Sequence, residues 1–299
     1  MRHFSTIITG LLIILAMPVS AKNYVVTIEP LYWQATESVD WVLNNNLNSI
    51  NQQISYSTAD FDFRPGLRIS ASYKRDWDFR VTYTTYYTKA SDSASGNLVA
   101  TFMGGKMIQN GNFFYTSGQL NFKINFNTLD LDFGKTFYFR KRSSYRPYIG
   151  LKNGWIYQEI STNLRGATSI VEDIHNNFIG IGPRMGLSSN WRITRTKNFT
   201  TNGFMDVSMS YLAGRWSISD VVTASNATNL YTNAGHRYLG AAVIQGLIGF
   251  SFDYKSYMLS IGYEISDWFN QCQVFSDASG TQNNDLILQG LTLQLTYSF

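Results

Sequence analysis

Two short acidic patterns are the first residues that could do chemistry. Asp60-x-Asp62 and Asp173-x-His175 set carboxylates beside each other and beside an imidazole, and a carboxylate that orients a histidine makes a sound general base. A second set mixes signs. Arg64, Arg68, Arg80, Arg146, Lys152 and Arg184 stand against Asp78, Asp130, Asp132, Asp206 and Glu264. On the wall of a water-filled channel, such charges would orient a passing polar solute and set its ion preference. The string Gly180-Ile-Gly182-Pro-Arg-Met-Gly186 is glycine-rich, but its spacing is wrong for a nucleotide-binding loop. Downstream of residue 21 the only histidines are His175 and His236, and the lone Cys272 forms no metal-ligand cluster with either. One cysteine cannot close an intramolecular disulfide, so a free thiol is expected. No Ser–His–Asp spacing can be assigned, and no catalytic, cofactor or metal residue is expected.

The elements that must carry these charges are strands. From Phe63 to Tyr73 the odd positions are Phe63, Pro65, Leu67, Ile69, Ala71 and Tyr73, while the even ones include Arg64, Arg68 and three polar or small residues. Period-two alternation of this kind belongs to a strand that faces two different solvents. After a tight turn, Trp77, Phe79, Val81 and Tyr83 share one face and Asp78, Arg80, Thr82 and Thr84 the other. Carried along the chain, the pattern predicts ten strands near 24–35, 63–74, 77–88, 118–139, 145–159, 175–191, 200–216, 238–253, 256–270 and 286–299. Eight or twelve strands are the alternatives. The fourth changes phase between Phe122, Ile124, Phe126 and Leu129, Leu131, Phe133, which predicts a bulge near Asn127.

Connections near 74–77, 140–145, 192–199 and 253–256 are short, and those at 36–62, 89–117, 160–174, 217–237 and 271–285 are long. Short periplasmic turns and long external loops characterise transmembrane β-barrels. Charges test the parity, since Arg or Lys on the lipid face costs about 2–4 kcal/mol at the midplane. Arg64, Arg68, Arg80, Lys123, Asp130, Asp132, Arg146, Lys152, Arg184, Asp206 and Glu264 all fall on the polar parity. Lys135 is an exception near a turn end, where it could snorkel, and Glu29 suits either face. The three glycines of 180–186 share the parity of Arg184 and are expected to make room for its side chain. Rings gather where strands should meet the interfaces: Tyr73, Trp77, Tyr145, Trp191, Tyr257 and Tyr297 at the turn side, and Tyr87, Trp155, Trp216 and Trp268 at the loop side. A soluble β-sandwich is the rival fold, but strands of about 11–20 residues exceed its usual 5–6.

Bulk properties agree. Aromatic and charged residues each make up 15 % of 299 residues, and Pro is scarce at 5, whereas an ordinary soluble domain has about 25 % charge. The mean hydropathy is slightly negative, which argues against a bundle of hydrophobic helices. A net charge of +4 without a basic run gives no case for nucleic acid. At the N-terminus Arg2 and His3 precede an apolar run from Ile7 to Met17, and Val19-Ser20-Ala21 fits a signal-peptidase site. Residues 1–21 are therefore expected to be a cleaved signal peptide and 22–299 one outer-membrane barrel domain.

Several blocks are familiar together: "EPLYWQA" at 29–35, "LDLDFGKTFYFRKRSSYRPYIGLKNGWIYQ" at 129–158, "NNFIGIGPRMGL" at 176–187, "GYEISDWFNQ" at 262–271 and "LQGLTLQLTYSF" at 288–299. With them the sequence resembles the Legionella-type pore-forming outer-membrane proteins, relatives of the major outer-membrane protein of those bacteria. The resemblance implies a pore in the bacterial outer membrane and does not identify a solute. The residues around the two acidic patterns do not resemble omptin-type barrel proteases, so solvated rim residues are expected there, and no enzyme.

The expected function is a narrow passive pore for small solutes or ions, with at most weak anion preference. The alternative is a plugged barrel acting as a surface adhesin or binding protein, for which Asn-rich 44–53 and Gly/Asn-rich 96–112 would serve as loops. Expected partners are outer-membrane lipid and lipopolysaccharide, the outer-membrane assembly machinery through the last strand ending in Phe299, and host or surface ligands.

Overall fold

The computed structural model describes residues 23–46, 53–102, 115–139, 142–225, 230–276 and 280–299. The expected signal peptide lies outside them, as do parts of the loops at 44–53 and 96–112. Ten long strands form a closed antiparallel barrel: β1 (Tyr24–Thr36), β4 (Arg64–Lys74), β5 (Asp78–Ala100), β6 (Tyr115–Gly134), β8 (Ser143–Gly166), β9 (Ile170–Arg195), β10 (Thr200–Ala224), β11 (Leu230–Tyr254), β12 (Tyr257–Ser276) and β13 (Gly280–Ser298). Each pairs with its successor, and β1 pairs with both β4 and β13. Closure leaves no unpaired edge, which is what a sheet in lipid requires. Two extra strands, β2 (Asp40–Asn46) and β3 (Gln53–Thr58), make a hairpin attached to the far end of β5 through Val42 opposite Ala100. The short β7 (Phe137–Phe139) pairs with β8.

The outward side chains make the apolar belt that the alternation predicts. Leu67, Phe79, Phe133, Ile149, Leu151, Ile181, Met185, Met209, Ile248, Phe250, Ile261 and Leu293 are all exposed. So are Leu291, Leu295, Tyr297 and Phe299 of the terminal strand. At the turn end Trp77 stacks on Phe133 at 4.9 Å, and Lys135 sets its ammonium 5.5 Å from the Trp77 ring centre. That contact lets this outward lysine reach the interface.

Beyond the belt the strands keep going, which corrects the expected loops. Most of 160–174, 217–237 and 271–285 is ladder: β8 runs to Gly166, β9 begins at Ile170, and β10 extends to Ala224. The β5–β6 register is unbroken from Asp78 opposite Gly134 to Ser95 opposite Ser117, so the expected bulge near Asn127 does not exist. Phe122, Ile124 and Phe126 stay on the same inner face as Asp130 and Asp132, and all five are buried. What changes along the strand is the solvent. In the membrane the outer face is apolar and the inner face charged. Above it the outer face meets water and the inner face packs a dry core. The apolar parity therefore inverts while the strand does not.

Candidate functional site in the barrel interior

Three linked ionic groups fill the turn-end half of the interior. In the first, Arg68 donates to Glu29 at 3.1 Å and to both oxygens of Glu264 at 2.9 and 2.7 Å. Its Nε donates to Thr84 at 3.0 Å. Gln245 and Thr292 complete the Glu264 carboxylate at 2.7 and 3.0 Å. Glu29, ambiguous in sequence, thus faces inward. In the second group Asp130 accepts from Lys152 at 2.9 Å and from Arg184, and Asp132 lies 3.6 Å from the same guanidinium. In the third, Arg146 grips Asp78 through Nε and Nη2. Tyr148 ties the wall of β8 to β10 by donating to Asp206 at 2.8 Å, where Ser188 also donates. Buried charges persist only when paired and hydrogen-bonded in this way.

Between these groups lies a cavity of about 400 Å³. Its mouth is at the turn end, where Lys74, Thr136, Tyr138 and Ser144 line it, and Arg68 and Glu264 line its inner part.

A layer of rings closes the interior above the ions. Trp33, Phe126, Ile156, Phe178, Trp216, Trp268 and Leu288 are all inward and 0–3 % exposed, which leaves the layer almost dry. Phe178 packs on Trp216 at 4.4 Å and Phe126 meets Trp268 edge-on at 5.2 Å. The layer needs glycines beneath it. A Cβ on Gly214 would come 2.1 Å from the Phe178 ring, one on Gly180 2.4 Å from it, and one on Gly154 2.9 Å from Trp268. Cations meet the underside of the layer: Arg68 lies 5.2 Å from the Trp33 ring centre and Lys152 5.5 Å from that of Trp268.

The external head continues the dry core with Trp41, Val42, Leu98, Phe102, Leu120, Phe122, Ile160, Leu164 and Ile170. Trp41 of the β2–β3 hairpin donates to Asp92 at 2.9 Å. Glu37, between β1 and β2, is 2 % exposed and accepts from Gln158 at 2.6 Å. Burial pushes its carboxyl up to about 8, against the opposing hydrogen bonds from Gln158 and the Cys272 thiol. Cys272 is a buried free thiol.

Arg68, Asp130, Asp132, Arg146, Lys152, Arg184, Asp206 and Glu264 meet in the interior as their parity predicts. Arg80 is half-buried on the cavity wall. Arg64 sits at the far end of β4, partly in water, and pairs loosely with Asp62 at 3.5 Å. Lys123 is a correction: it lies on the outer face of the head, paired with Glu159 at 3.0 Å. Trp216 and Trp268 are also corrected, from interfacial rings to interior ones.

The glycines of 180–186 do not make room for Arg184 itself. Gly180 accommodates Phe178, Gly182 lies against the Tyr211 backbone, and Gly186 accommodates Tyr148, which accepts from Arg184 at 3.3 Å. Asp173 and His175 alternate with buried Ile174 and Asn176, so both point outward, away from the barrel interior, and Asp60 and Asp62 are exposed. The structure does not bring the two acidic patterns together. Sequence reading missed Tyr148 as an interior hub, because a tyrosine at a strand position reads equally as lipid-facing.

A family model described as Legionella pneumophila major outer membrane protein precursor matches residues 16–299. No curated protein sequence matches the chain. Among solved structures, the outer membrane protease OmpT of Escherichia coli is similar over 95 % of this chain and 99 % of its own, with 12 % identity and a TM-score of 0.44. The Pseudomonas putida toluene transporter TodX is similar over 94 % and 91 %, with 9 % identity and a TM-score of 0.33. The transport unit of the E. coli autotransporter AIDA-I is similar over 99 % and 97 %, with 8 % identity and a TM-score of 0.26.

Proposed function

We propose that this chain, which belongs to the family of the Legionella pneumophila major outer membrane protein, works as a closed outer-membrane barrel that presents a packed external head for surface binding. The observation that carries this reading is the ring layer, whose inward side chains are 0–3 % exposed across the interior. Hydrophobic constrictions stop ions because a dry passage cannot replace their hydration. The rings come from the wall strands themselves, so displacing the β2–β3 hairpin alone would not open a path.

Planar-bilayer recording of the refolded protein tests it. No discrete conductance steps are expected, and steady steps from the unmodified chain would overturn the closed reading. A narrow pore for small charged solutes is the second reading, favoured by the charged cavity of about 400 Å³ at the turn end. If steps do appear, changed ion selectivity in Arg68→Glu or Arg184→Glu would assign them to this interior. Residues 1–21 act in export as a cleaved signal peptide in either reading. Loss of those residues from the exported protein, seen by intact-mass measurement, checks this.

A further inference from the structure

We propose that the turn-end mouth of the interior cavity is a binding site for a small oxyanion of the phosphate class, held by Lys74, Arg80 and Arg146. The inference concerns equilibrium binding and stands whether or not the barrel conducts.

Lys74 and Arg80 occupy inward positions on adjacent strands, β4 and β5, and both line the cavity. Among the described residues, neither has a carboxylate within 4.0 Å. Of the nearby carboxylates, Asp78 is gripped by Arg146, and Asp132 lies 3.6 Å from the Arg184 guanidinium with its Oδ1 not hydrogen-bonded. The charged groups that act on Lys74 are Arg80, Asp78 and Arg146, which are two cations and a carboxylate with its own partner.

A separate observation points to a missing acceptor. Arg146 is 7 % exposed and lines the cavity, yet its Nη1 has no hydrogen-bond partner. A buried charged donor left without an acceptor is costly, and an oxyanion in the mouth would supply one. The carboxylates of the cavity without a cation of their own stand on other walls: Asp206 on β10, already hydrogen-bonded by Tyr148 and Ser188, and one of the pair Glu29 and Glu264 that shares Arg68. Lys74 and Arg80, neither in an ion pair among the described residues, and the open Arg146 donor together suit one compact anion with several acceptor oxygens. Phosphate near neutral pH carries about −1.5 to −2 and several strong acceptor oxygens.

Calorimetric titration of inorganic phosphate into the refolded protein in non-ionic detergent, at low ionic strength and pH 7.5, is the test. One saturable site is expected. Arg80→Gln and Lys74→Gln should each weaken it about tenfold or more, and Asp206→Asn should leave it in place. Lys74 is exposed at a strand end, so its variant folds even if the Arg80 variant does not, and circular dichroism checks both. Acetate should bind more weakly than phosphate. No saturable binding, binding unchanged in both variants, or acetate binding as tightly as phosphate would each overturn the proposal.

Discussion

Single side chains in this protein are governed by what burial does to charge. Glu37 is held in the head with its carboxyl pushed up to about 8, so at neutral pH the folded state keeps a proton that the unfolded chain releases. Between pH 4.5, the ordinary carboxyl value, and about 8 the unfolded chain therefore binds fewer protons than the folded one, and stability must fall as pH rises. The loss is complete above about pH 8. Glu37→Gln removes the titration, so urea unfolding at pH 5 and pH 9 should show the unmodified chain losing a few kcal/mol more than the variant. Equal losses would refute the assignment. Arg68 poses the opposite case, because it is the shared partner of two buried carboxylates. Arg68→Met leaves both uncompensated and should cost about 3–5 kcal/mol. Adding Glu29→Gln and Glu264→Gln should recover much of that in the same unfolding assay.

At the scale of elements, each strand must serve lipid at one end and water at the other. The ladder is continuous, but the lining of the inner face changes from ions to rings at the level of Thr128 on β6, Gly154 on β8, Gly180 on β9 and Gly214 on β10, which are consecutive cross-strand partners. Small residues on three of these strands create the space that Phe178 and Trp268 fill. Gly214→Ala would drive a methyl into the Phe178 ring and should destabilise by about 1–3 kcal/mol, whereas Gly246→Ala meets nothing nearer than 3.9 Å and should be close to neutral. Comparing the two urea midpoints separates crowding of the ring layer from the general effect of alanine in a strand.

For the whole molecule, the consequence is a barrel whose two halves have opposite interiors, an ionic one in the membrane and an apolar one beneath the external head. If the ring layer is what closes it, thinning that layer should open it. Trp268→Ala alone, or with Phe178→Ala, is expected to produce ion-conducting steps that the unmodified chain lacks. Each truncation costs about 3–5 kcal/mol, so folding must be verified first by circular dichroism. A folded double variant that still fails to conduct would mean that the head core above the layer seals the barrel independently.

Composition and alternation determined a good deal by themselves. They implied the membrane, the ten-strand barrel, the short-turn end and the identity of most interior charges, because a charged residue within the belt has nowhere to go but inward. They could not determine what the interior does above the charges. Phe122, Ile124, Phe126, Trp216 and Trp268 read as lipid-facing or interfacial, since one chain's pattern records that a face is apolar and not which apolar environment it meets. Only closure of the sheet decided that those rings converge on one another, and only their convergence, with glycines at the facing positions, turned an expected channel wall into a packed layer. Tyr148 and Glu29 became interior residues for the same reason: pairing across strands far apart in sequence supplied the partners that make their burial affordable.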